Sequence, residues 1–182
     1  MDWKTIKLLG GIGAILAVVP YVNVAGWILV IVALYGISKQ TDNKNIFNYY
    51  LISVIFKFGG FLLFILGFFS IAFIISAIQG SGSESYIGLI VAAIILIGVL
   101  IVSAYFVKKS FIEVSKETGI DSFKTAGNLI FWGAVTLIVG VGVILYLIGY
   151  IMEIVSFFSI PDDFAFERAN TGFNEQIPEK EN

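Results

Sequence analysis

The chain has 182 residues, 58% of them hydrophobic and only 13% charged. A soluble domain carries about 25% charged residues, so this composition leaves room for one domain and suits a surface that faces lipid. Cysteine and histidine are both absent, which excludes a disulfide framework, a thiolate nucleophile, and an imidazole base or metal ligand. The net charge of −2 divides into +2 over residues 1–160 and −4 over residues 161–182, with no basic patch for nucleic acid.

Four apolar blocks stand out, at 8–38, 46–78, 87–107 and 129–160. Lys4, Lys7 and the run Leu8–Val19 have the outline of a signal peptide, but no small-x-small cleavage site follows and the apolar pattern resumes at Val24. The first block, as one straight helix, would be about 46 Å long. It contains Pro20-Tyr21-Val22-Asn23, where proline removes a helix hydrogen bond and asparagine favours a turn, so two helices are predicted, 8–19 and 24–38.

The two middle blocks hold Phe58–Ile78 and Ile87–Val107, each without a charge. Each makes a helix of about 31 Å, matching a hydrocarbon core of about 30 Å. The polar run within Gln79–Tyr86 reads as a flexible loop, so the two spans form an antiparallel hairpin. Lys57 ends one span and Lys108-Lys109 the other, yet Ile46–Phe56 and Ser110–Thr118 still look helical. These arms are expected to project past the membrane as a paired stalk. Phe111 and Val114 would pack toward Ile52, Tyr49 or neighbouring apolar positions on the partner arm, while Lys109, Glu113 and Lys116 face water. Gly119 stops the helix, and Asp121 or Ser122 can cap the next.

The last block, 129–160, is interrupted at Gly140-Val141-Gly142 and is read as two helices. Charge placement supports hairpins in both outer blocks. If each outer block crossed once, ten flanking Lys/Arg residues would divide six against four. With hairpins all ten fall on one side, which the positive-inside rule identifies as cytoplasmic, N- and C-termini included. The expected architecture is therefore all-α: a polytopic transmembrane bundle over 1–160 with six hydrophobic helices, two short hairpins (8–38 and 129–160) around a long central one. Charge counting does not distinguish full spans from re-entrant hairpins. Residues 161–182 are read as an acidic, disordered tail that is dispensable for folding.

Several segments resemble the "domain of unknown function 996" family of mostly archaeal membrane proteins. They are Leu9-Gly10-Gly11-Ile12-Gly13, the turn Val22–Trp27, Lys116-Glu117-Thr118-Gly119, Phe123-Lys124-Thr125-Ala126-Gly127 and Ile151–Pro161. The resemblance covers nearly the whole chain before the acidic tail. It implies a membrane protein and carries no activity, substrate or catalytic residue.

Two charges inside apolar sequence are the functional candidates. Lys57 could contact a substrate or lipid headgroup, although a lysine at the end of a span commonly snorkels to the interface. Glu153, the sole acid of its block, could serve proton or ion translocation, pair with a lysine, or lie at the interface. Ser53 and Lys57 are four residues apart, the spacing of a nucleophile–base pair on one helical face, but nothing else suggests hydrolysis. Glu113 and Glu117 share that spacing, and with Lys109 and Lys116 nearby they read as a salt-bridged face rather than metal ligands. The pairs Gly60/Gly67, Gly133/Gly140 and Gly142/Gly149, with Gly10/Ala14 and Gly13/Ala17, read as packing seams.

No catalytic residue, cofactor or metal site is therefore expected. The expected role is a non-catalytic structural or accessory component of a membrane assembly. Its partners would be lipids, other membrane subunits or further copies of itself. The alternative is a small transporter or channel for an apolar or lipid-like substrate, because interrupted helices build midplane sites but the spans have little polar lining.

Overall fold

The computed structural model describes residues 1–78, 85–162 and 164. Among them are six α-helices and no strand. They are α1 (Trp3–Val18), α2 (Asn23–Gln40), α3 (Lys44–Ile78), α4 (Ser85–Thr118), α5 (Asp121–Val135) and α6 (Gly142–Phe158), with one 3-10 turn at Thr136–Val139. Four stretches are long and apolar enough to cross a membrane: Asn23–Gln40, Lys44–Gly67, Ala93–Thr118 and Asp121–Val139. The expected loop over 79–84 and the tail beyond Phe164 lie outside the described residues.

Local chemistry sets the boundaries. Helix α1 starts earlier than its apolar run because Asp2 caps it, accepting from the Thr5 amide at 3.1 Å, and because Trp3 and Ile6 are buried. The hydrogen bonds from Thr5 hold the Asp2 carboxyl below its ordinary pKa. The break at Pro20–Asn23 occurs as expected, with Tyr21 fully exposed at φ 72°. Gly119, at φ 70°, ends α4 by donating to Ser115 O. Neither Asp121 nor Ser122 caps α5. The cap position is Ile120, with no side-chain bond, and Asp121 is already the first helical residue. The last block breaks where the glycines suggested, at Gly140 with φ 81°.

Each helix packs on the next, and α6 returns to pack on α1, so the six close into a ring. Contacts run in opposite order along neighbouring helices. Gly13 meets Leu29 and Gly26, while Gly36 meets Ile6 and Met1. Gly133 meets Gly142 and Tyr146, while Gly149 meets Ile130. Successive helices therefore alternate in direction, and both described ends of the chain lie at one end of the ring. Lys7 pairs with Asp162 there at 3.1 Å, and Trp3 lies 4.6 Å from the ring of Phe164. Asp162 and Phe164, which the sequence assigned to a dispensable tail, thus touch α1.

A chain of aromatic rings crosses the core. Tyr50 stacks on Phe111 at 6.3 Å, Phe111 meets Phe123 at 5.7 Å, and Phe123 meets Phe157 at 5.1 Å. Phe157 ends against Gly10, whose missing side chain makes the room. These contacts tie α3, α4, α5, α6 and α1 together.

The central hairpin corrects the stalk expectation. Segments 44–60 and 98–118 do pair, with Ser103 Oγ donating to Ser53 O at 3.0 Å and Ser110 Oγ to Ile46 O at 2.7 Å. They do not project from the bundle; the outer hairpins flank these very segments. Trp27 of α2 contacts Phe58, Tyr35 contacts Phe47, and Gly127 of α5 backs onto Lys108. Phe111 packs on the partner arm as expected, through Tyr50, which neighbours Tyr49, while Tyr49 itself meets Phe106. The reason is helical phase: Ile46, Tyr50 and Ser53 share the buried stripe, and Tyr49 lies a residue off it. The distal parts of α3 and α4 extend beyond the ring instead.

The glycine seams are corrected in part. Gly133, Gly142 and Gly149 admit backbone contact between α5 and α6, and Gly60 meets Val99. A Cβ on Gly67 or Gly140 would meet nothing within 4 Å among the described residues. Gly140 serves the turn rather than the seam.

Candidate functional site

The two residues singled out by charge lie within electrostatic range of each other. Helix α3 carries Lys57 toward the end of the ring where α2 begins. Thirteen residues separate it from Lys44, about 20 Å along the helix. Lys57 is therefore remote from the end of the ring where Lys44 lies. Its Nζ lies 5.7 Å from the centre of the Trp27 ring. Glu153 is buried, 3% exposed, on the inward face of α6 and within electrostatic range of Lys57 and Tyr50.

Beside Lys57 is a half-open cavity of about 390 Å³ between α2, α3, α4 and α6. Its polar lining comes from Asn23, Trp27, Lys57, Tyr146 and Tyr150, while Phe58, Leu96 and Leu100 supply an apolar wall. The rings of Tyr146 and Tyr150 meet edge to face at 5.1 Å. Trp27 Nε1 is buried and has no hydrogen-bond partner among the described residues. Glu153 does not line this chamber; it lies within electrostatic range of Tyr150, which does.

The other pairs are not assembled for chemistry. Ser53 is fully buried and its Oγ donates to Tyr50 O at 2.7 Å, while Lys57 turns to Trp27. Glu113 and Glu117 are bridged by a residue the sequence reasoning missed. Asn43 Nδ2 donates to Glu113 Oε2 at 3.2 Å and to Glu117 Oε1 at 2.9 Å, tying the α2–α3 turn to the end of α4. Lys116 holds the other Glu113 oxygen at 2.8 Å. No group of three metal-ligating side chains occurs among the described residues.

A family model described as "Protein of unknown function (DUF996)" matches residues 22–151. This chain belongs to the DUF996 family. The match spans α2 to α6 and takes in Lys57, Tyr146 and Tyr150, while Glu153 lies just past its edge. A DUF996-related protein, "Uncharacterized protein MJ1644" of Methanocaldococcus jannaschii, is 37% identical over 176 residues, covering 92% of this chain and 98% of the relative. No solved structure matches this DUF996 chain.

Trp27, Asn23, Tyr146 and Tyr150 did not emerge as site residues from the sequence. One signal was present. Tyr146, Tyr150 and Glu153 recur at i, i+4, i+7, a polar stripe on one face of an otherwise apolar helix. Nothing comparable marks Trp27, whose role depends on which helix α2 meets.

Proposed function

We propose that the protein is an integral membrane protein with its six helices seated in one bilayer and both termini cytoplasmic. Its role in this reading is non-catalytic, as a structural or accessory component of a membrane assembly. The observation that carries the topology is the alternation of helix direction with lysines gathered at one end. Lys4, Lys7, Lys39, Lys44, Lys116 and Lys124 lie near the helix ends on the side of the termini. Outward residues such as Ile12, Ile15, Ile28, Ile144, Leu147 and Ile151 are exposed, as a lipid-facing surface requires.

Cysteines introduced at Ser83, Lys116 and Asn174 test the orientation, since the native chain has none. In sealed right-side-out vesicles only Ser83→Cys should react with an impermeant maleimide. Labelling at Asn174→Cys would place the C-terminus outside and reject the arrangement. Co-purification in mild detergent tests the role: a stable larger complex is expected, and an isolated protein with solute flux would count against it.

The chamber favours a second reading, a small carrier for an apolar or lipid-like substrate. A bundle that served only as a scaffold has no need of a polar-ended cavity beside a buried carboxylate, whereas transporters place such sites between their helices.

A further inference from the structure

We infer that the chamber beside Lys57 binds an amphiphilic anion: one hydrocarbon chain ending in a carboxylate or phosphate, with the headgroup held by Lys57. The inference rests on the carrier reading of the chamber and adds the chemical class of its ligand.

Two features at the polar end of the cavity favour negative charge. Lys57 supplies a cation beside a mostly apolar wall, where a charge attracts its partner more strongly than in water. Helix α2, 18 residues long, begins at Asn23 on the cavity wall and has no side-chain cap, so the positive end of its dipole lies beside the same space.

The remaining wall suits a chain. Phe58, Leu96 and Leu100 are apolar, and Tyr146 and Tyr150 offer ring faces. The volume, about 390 Å³, lies at the small end of ligand sites, which suits one chain rather than two. Trp27 with two tyrosines could suggest an aromatic cage for a quaternary ammonium. Lys57, 5.7 Å from the Trp27 ring, opposes that cation and selects the opposite charge. Glu153 lies within electrostatic range of Lys57 but outside the cavity lining.

The test is native mass spectrometry of the full chain from non-ionic detergent, titrated with palmitate, hexadecanol or inorganic phosphate. One palmitate should bind per chain, and hexadecanol about tenfold more weakly, the worth of a charge-assisted hydrogen bond. Lys57→Gln should weaken palmitate by about tenfold, and Lys57→Arg should restore it. If Lys57→Gln fails to fold, the palmitate-to-hexadecanol ratio of the parent still decides.

Equal binding of palmitate and hexadecanol would overturn the anion assignment and leave the carrier reading standing. So would undiminished palmitate binding by folded Lys57→Gln. Displacement of palmitate by inorganic phosphate would overturn the requirement for a chain. Binding of neither amphiphile would reject the inference and the carrier reading together.

Discussion

The central hairpin contains two helical halves with opposite surroundings. In the proximal half, 44–60 with 98–118, every turn meets another helix: Ile46, Tyr50, Ser53, Ala104, Ser110, Phe111 and Val114 are buried. In the distal half, Leu62 is 58% exposed, Leu66 56% and Ile94 63%. The distal half is the more apolar and carries no charge, whereas in the proximal half Ser103 and Ser110 bond across to the partner helix and Ala104 is buried. A side chain that faces lipid needs only to be apolar, whereas one that faces helices must also fit them.

The sharpest way to break this comparison is truncation of a large side chain in each half. Phe111→Ala removes the middle of the aromatic chain and should cost about 3–5 kcal/mol. Leu66→Ala should change stability by no more than about 0.5 kcal/mol. Thermal melts in detergent read both, and equal losses would mean that the distal half is packed as well.

Added methyl groups should act with opposite signs. Gly133→Ala places a Cβ 2.7 Å from the Tyr146 amide nitrogen, where α5 and α6 touch, and should lose about 1–3 kcal/mol. Gly67→Ala meets nothing within 4 Å among the described residues and should gain up to about 1 kcal/mol through helix propensity. A destabilising Gly67→Ala would place an unrecognised neighbour against the distal half.

The smallest expected effect belongs to the hydroxyl links. Ser110→Ala breaks the 2.7 Å bond to Ile46 O and should cost about 0.6 kcal/mol, the average for such bonds between membrane helices. Amide exchange should then quicken around Ile46 before the rest of the proximal half. Uniform acceleration along α3 would show instead that its two halves open together.

Much of the helix pattern was legible because it is written in local chemistry. Pro20, Gly119 and Gly140 punctuate the chain where the helices stop, and the central arms continue as helices beyond Lys57 and Lys108 because no breaker interrupts them. The odd charges Lys57 and Glu153 were visible as charges in apolar surroundings. That they come within electrostatic range was not, because α3 and α6 are remote in sequence and are brought near only when the ring closes. The expectation of a stalk failed for the same reason. It set the bilayer by matching 21 apolar residues to a membrane thickness, a rule that sees length and hydrophobicity but not neighbours.

By itself, then, the sequence determined where helices begin and end, that their surfaces suit lipid, and which charges are out of place. Those properties depend on backbone conformation and solvent preference, which act residue by residue. The tertiary structure alone decided which half of the hairpin the outer helices embrace, that Tyr50 rather than Tyr49 meets Phe111, and that Trp27 and two tyrosines share a chamber with Lys57. These depend on complementarity between surfaces distant in the chain, where one residue of helical phase or one missing side chain, as at Gly10 or Gly133, settles which faces can meet.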